Sequence, residues 1–244
     1  MALEAGPYAR DSIRAALLRE QNETTAARLR ANGVRVRLAH EPDAPLHMKA
    51  AVVDAALFLD DRNWPAGGDD TIVRTTARAE VAAARDAIAG REASTPVLAL
   101  RKDRALADEA RLIEAVRSER IDCESESFSA SPVFRALLGA ARRGRHVRLL
   151  VASRELSGTG GRRERSALRK LRQAGVEVRA SRSDEKFCVT KNNAWLGSAN
   201  ATAGAAHTVD WGARTRSSEI VATLQRRFEA HWRAAAAGRA PLAP

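Results

Sequence analysis

Two stretches of the chain share one pattern of apolar and polar positions. Between residues 24 and 64, and again between 165 and 200, the sequence predicts a helix closing at a glycine (Gly33, Gly175), an alternating strand (VRVRLA, VEVRAS), a polar loop, and a strand bearing a lysine (Lys49, Lys186). Each copy then continues through an apolar stretch, a two-residue turn and a second strand ending in an asparagine (Asn63, Asn200). Fourteen residues separate lysine from asparagine in both copies, and a single offset of 137 relates the two pairs. Beyond each asparagine we expect a loop, an acidic residue opening a strand (Asp70, Glu219) and a terminal helix (79–88, 224–232). Such a repeat predicts two similar lobes.

The second copy is preceded by more structure than the first. A strand over 121–128, a helix over 132–143 capped by Ser131 with Pro132 in its first turn, and a strand over 147–151 open it. Only residues 2–10 stand in that place before the first copy, so roughly forty residues of an opening βαβ unit are expected to be missing, which leaves a sheet edge bare. The partition that follows is a first lobe over 1–91, a connecting strand and helix over 92–118, a second lobe over 119–233 and a frayed tail over 234–244. The expected fold class is α/β, with two repeated lobes of mixed sheet flanked by helices and a polar cleft between them.

Composition bounds the reading. With 244 residues and 45% hydrophobic positions the chain can bury a substantial core, which excludes a disordered chain. No apolar run reaches a membrane span and the first residues are charged, so we expect a cytoplasmic protein without a transmembrane segment. Cys123 and Cys188 lack metal-ligand spacing and are too few for a disulfide framework, in keeping with a reducing compartment. The net charge of +11 favours an anionic partner but does not choose among nucleic acid, a phosphorylated metabolite and an acidic lipid surface. Only five of the 41 basic residues are lysines, so two lysines at matched positions stand out. Trp64, Trp195, Trp211 and Trp232 read as core anchors, and the basic run 141–145 reads as a solvated helix end.

His47, Lys49, Asp54 and Asn63 form H-x-K-x4-D followed by an asparagine, and this duplicated frame resembles the phospholipase D superfamily. The residue types suit phosphodiester chemistry, which needs a nucleophile, a proton donor for the leaving oxygen, and cations and amides around the non-bridging oxygens. The resemblance implies two phospholipase D-like lobes, a His47 phosphohistidine resolved by water or an alcohol, and no cofactor or metal. It also implies a phosphodiester substrate, either phospholipid or nucleic acid. On this resemblance the candidate catalytic residues are His47, Lys49, Asp54 (bracing a turn), Asp184 and Lys186. The candidate phosphate ligands are Lys49, Asn63, Lys186, Ser198 and Asn200, with Asp70 and Glu219 as supporting acids.

The second copy departs from the family pattern. Asp184 stands where a second histidine is expected, and Lys191 replaces the acid, while Lys186, Gly197, Ser198 and Asn200 are kept. Three readings stay open: pairing of His47 with its counterpart in a homodimer, proton donation by Asp184 or His207, or a catalytically silent site that binds nucleic acid, anionic lipid or a partner chain.

Overall fold

The computed structural model describes residues 1–4, 12–39, 45–61, 71–117, 120–157, 161–204 and 206–237. The first half contributes strands β1 (Ala2–Glu4), β2 (Arg37–Ala39), β3 (Lys49–Val53), β4 (Ala56–Asp60) and β5 (Ile72–Thr75), with helices α1 (Ser12–Ala31) and α2 (Arg78–Ile88). The second half contributes β6 (Leu98–Ala99), β7 (Ile121–Ser125), β8 (Val147–Ala152), β9 (Glu177–Ser181), β10 (Phe187–Val189), β11 (Ala194–Gly197) and β12 (Gly212–Thr215). Its helices are α3 (Lys102–Ala115), α4 (Pro132–Arg142), α5 (Arg162–Gln173) and α6 (Ser218–Ala237).

Local chemistry explains several of these boundaries. Ser131 Oγ accepts from the Phe134 amide, and Pro132 follows it where a missing N–H costs nothing. Both α1 and α5 end on a left-handed glycine, Gly33 (φ 79°) and Gly175 (φ 93°). The next amide, of Val34 or Val176, then turns back to a carbonyl of the helix, Leu29 or Leu171. In α4 the buried positions Val133, Ala136, Leu137 and Ala140 form one helical stripe.

Seven strands form a mixed sheet in the order β6-β12-β11-β10-β7-β8-β9. Only β7, β8 and β9 are parallel neighbours, and β7 and β8 are buried along their whole length, as strands covered on both faces must be. In the first half, β3-β4-β5 form an antiparallel sheet and β1-β2 a separate parallel pair. The hairpins match in register: Lys49 lies opposite Asp60, and the Gly197 amide donates to the Lys186 carbonyl. In the larger sheet, β7 joins β10 to β8; among the described residues nothing takes that place between β3 and β1, so β3 pairs with β4 alone.

One core lies between the seven-stranded sheet and α3, α4 and α5. The other joins the halves: Met48, Leu57 and Leu59 pack with Phe187, Trp211 and Phe228. Trp211 is fully buried and its Nε1 donates to the Asp60 carbonyl at 2.7 Å. Trp195 and Trp232 are buried as expected, whereas Trp64 lies outside the described residues. On the α6 side, His231 pairs with Glu124 at 2.9 Å and Arg227 with Glu185, while Thr71 donates to Glu185 at 2.7 Å.

Two expectations need correction. Cys123 and Cys188 are joined by a disulfide between β7 and β10, where the antiparallel register sets them directly opposite each other. Their 65-residue separation concealed that adjacency, because strand order rather than sequence distance decides which side chains meet. Glu219 opens no strand. It sits exposed in the first turn of α6, and the strand before it is β12. The two copies slip by three residues between the asparagines and the last strands, so that β5 matches β12 and the acid aligned with Asp70 is Asp210. Among the described residues, no helix is long and apolar enough to cross a membrane.

Candidate active site

The segment before β3 runs parallel to the one before β12. His47 N donates to the Val209 carbonyl at 3.0 Å, and Val209 N donates to the Pro45 carbonyl at 2.9 Å. This bridge sets the His47 ring against Asp210, with Nδ1 and Oδ1 2.7 Å apart. Burial pushes the Asp210 carboxyl upward, but His47, Lys49 and a hydrogen bond from Ser198 outweigh it and hold the group below its ordinary range. An ionised carboxylate accepts only, so Nδ1 is the donor, and in the neutral ring the lone pair is on Nε2. The His47 side chain remains 40% exposed whereas that of Asp210 is 2% exposed, which leaves the ring open to a ligand and its support sealed.

His47 and Lys49 stand two residues apart along an extended segment and share a face. Burial lowers the Lys49 ammonium from its usual 10.5 to about 8, with Lys186 adding to the fall and Asp210, Glu126 and Asp61 opposing it. The charge of Lys186 reaches Lys49, so the two motif lysines converge.

Lys186 is 3% exposed, and its Nζ is held by Glu126 at 2.9 Å and by the carbonyls of Asp61 and Asp184 at 3.1 and 3.2 Å. Despite burial, Lys186 and Arg154 pull the Glu126 carboxyl down to about 2. Arg154 also donates to Asp184 Oδ2 at 2.5 Å, so the residue in the place of the second histidine is an ion-pair partner. Asp61, just after β4, accepts the Lys186 amide on Oδ2 at 3.0 Å, while its buried Oδ1 has no hydrogen-bond partner among the described residues. Burial lifts its carboxyl from 3.8 to about 7; Lys186 opposes the rise, and Glu185 and Asp60 add to it.

Other candidates fall elsewhere. Asp54 occupies the exposed β3–β4 turn at φ 53°, at the end of β3 away from Lys49, a short polar side chain tolerating that conformation. Ser198 is fully buried: its hydroxyl donates to Asp210 at 2.8 Å and accepts from the Trp211 amide, so it braces the acid. Asn200 Oδ1 accepts from the Ser127 amide at 3.2 Å, leaving its NH2 end to donate to an anion. His207 contacts the Arg101 guanidinium at 2.6 Å. Asn63 and Asp70 lie outside the described residues.

Two groups escaped the sequence reading. Asp210 was hidden by the three-residue slip, although the matching Arg-Thr pairs at 74–75 and 214–215 mark the true alignment. Lys102 opens α3 almost buried, donates to Thr202 Oγ1 at 2.9 Å and feels Asp210. Two of the five lysines, Lys49 and Lys102, thus act on Asp210, and scarcity of lysine was the available signal.

The family model described as cardiolipin synthase, phospholipase D-like domain, matches residues 110–232, half of the chain. The chain belongs to this phospholipase D-like family. Phosphatidylserine synthase of Haemophilus influenzae Rd KW20 is similar in fold over 96% of this chain and 73% of its own, with a TM-score of 0.65 and 10% identity. Polyphosphate kinase from Porphyromonas gingivalis is similar over 95% of this chain and 40% of its own, with a TM-score of 0.60 and 12% identity. Nuc from Salmonella typhimurium, a phospholipase D family member, is 20% identical over 51% of this chain and 84% of its own, with a TM-score of 0.46. No curated protein matches the chain in sequence.

Proposed function

We propose that the chain is a phosphodiesterase in which His47 is the nucleophile and the second half-site binds but supplies no histidine. The observation that carries this reading is the His47 Nδ1 contact with the buried Asp210 carboxylate across the two halves. Asp210 fixes the tautomer, and the Nε2 lone pair attacks phosphorus. The P–O bond to the leaving alcohol then breaks and a phosphohistidine forms, its imidazolium stabilised by Asp210. Lys49 and the Asn200 amide neutralise the non-bridging oxygens, with Lys186 behind them. Water then attacks phosphorus and gives up a proton, the P–N bond breaks with its electron pair returning to Nε2, and the phosphomonoester is released. One chain supplies both His47 and its orienting acid, so in this reading a monomer is sufficient and the lobe limits 1–91 and 119–233 describe its two contributions. The leaving alcohol belongs to a lipid or a nucleic acid backbone.

The test is turnover of bis-p-nitrophenyl phosphate, whose leaving group needs little protonation, in the presence of EDTA. Turnover first order in enzyme and lost in His47→Ala supports the reading. A second reading rests on the enclosure of Lys186 by Glu126: the frame binds an anion without cleaving it. No turnover, together with salt-sensitive binding of DNA or anionic vesicles that Lys49→Ala abolishes, supports that second reading instead.

A further inference from the structure

Asp184 is tied to Arg154 and His207 to Arg101, so among the described residues neither of these candidates is free to protonate the leaving alcohol of the proposed reaction. Asp61 is the acid whose surroundings differ. It sits at the end of β4, in the register position that Ser198 holds in the other hairpin, 2% exposed, and its Oδ1 is a buried carboxyl oxygen with no hydrogen bond to any described residue. Its Oδ2 accepts the Lys186 amide and its carbonyl accepts the Lys186 ammonium, and its charge also reaches Lys49, so it borders both motif lysines. An orphaned buried carboxyl oxygen costs stability, and such a group in a folded protein calls for an explanation in function.

We propose that Asp61 is the general acid that replaces the missing second histidine. The inference rests on the phosphohistidine reading above. As the P–O bond breaks, the Asp61 carboxyl gives its proton to the leaving oxygen, yielding a neutral alcohol and an Asp61 carboxylate. That carboxylate takes a proton from the water that attacks phosphohistidine, which restores the acid and releases the phosphomonoester. A general acid must be protonated at working pH, and burial, seconded by Glu185 and Asp60 and opposed by Lys186, keeps Asp61 so up to about pH 7. Lys49 is the other charge that faces it. Nothing in the sequence marks the role, because the Asp60-Asp61 pair, standing where the second copy has Gly197-Ser198, reads as an acidic turn unwelcoming to phosphate.

The experiment compares ethyl p-nitrophenyl phosphate with ethyl phenyl phosphate, whose poorer leaving group depends on protonation. Asp61→Asn is expected to lower kcat on the phenyl ester about 100-fold or more and on the p-nitrophenyl ester less than about threefold. The wild-type rate on the phenyl ester should fall above about pH 7, and the variant should lack that limb. Asp61→Ser, the residue of the matching position, serves as a second variant should the asparagine fail to fold. Equal losses on both esters, or no loss on either, in a folded variant would overturn the assignment while leaving His47 as nucleophile. Failure of the wild type to cleave even the p-nitrophenyl ester would defeat the nucleophile reading first, and this one with it.

Discussion

The two half-sites descend from the same pattern of residues yet have opposite electrostatic characters. On the first, His47 is 40% exposed and supported by a single buried acid, and Lys49 is lowered to about 8 by burial, with a second cation adding to the fall. On the second, Lys186, Glu126, Arg154 and Asp184 close upon one another in an ion network, and each charge finds its partner within the protein. The first half is poised to bind an anion because its charges are incompletely satisfied; the second is stable because its charges are satisfied. Sequence identity of the motif lysines therefore does not imply equivalence of role.

The contrast yields expectations in descending size. His47→Ala should remove aryl diester turnover to background, a loss of about 1,000-fold or more, whereas Asp184→Ala in the opposing half should change it less than about threefold. Stopped assays on folded variants check both. Asp210→Asn should keep the fold and cost about 100-fold or more in kcat, since the amide no longer fixes the tautomer or stabilises the imidazolium. Raising the pH tests Lys49 by itself. Its ammonium is charged below about 8 and lost above, so KM for the p-nitrophenyl ester should climb about tenfold per pH unit beyond that point. Lys49→Arg, which stays charged, should flatten the climb. The smallest effects belong to the motif positions that lie outside the pocket: Asp54→Asn and Glu219→Gln should change stability by less than about 0.5 kcal/mol in denaturant titrations and leave turnover within about twofold.

Stability should mirror the same division. The Asp61 carboxyl has a folded-state value near 7 against an unfolded value near 4, so the folded chain binds the extra proton between them. The contribution is full below about pH 4 and is lost as pH rises toward 7. At pH 8 Asp61→Asn should therefore melt higher than the wild type, and below pH 4 the gap should close.

Much of this was legible in the sequence, and the losses have physical causes. The paired lysines were found because the strand, turn and strand that fix Lys49 against Asp60 demand constant spacing, and Gly33 and Gly175 because only a left-handed residue closes those helices. Asp210 was missed because loop length is free to drift where hairpin register is not: three added residues broke the offset of 137, and Glu219, nine residues beyond Asp210, stood out instead. The disulfide was missed because sheet order, which sets Cys123 against Cys188, has no local signature. Asp61 was missed because the pattern cannot say whether an acid at a strand end meets water or a buried lysine; the fold decides that.

The most direct test of the nucleophile is chemical capture. Wild-type protein mixed with bis-p-nitrophenyl phosphate in EDTA, quenched in alkali where phosphohistidine survives, and digested for mass spectrometry should yield one phosphoryl adduct per chain, on the peptide holding His47. Turnover that proceeds with no such adduct, or with an adduct on any other residue, would contradict the account.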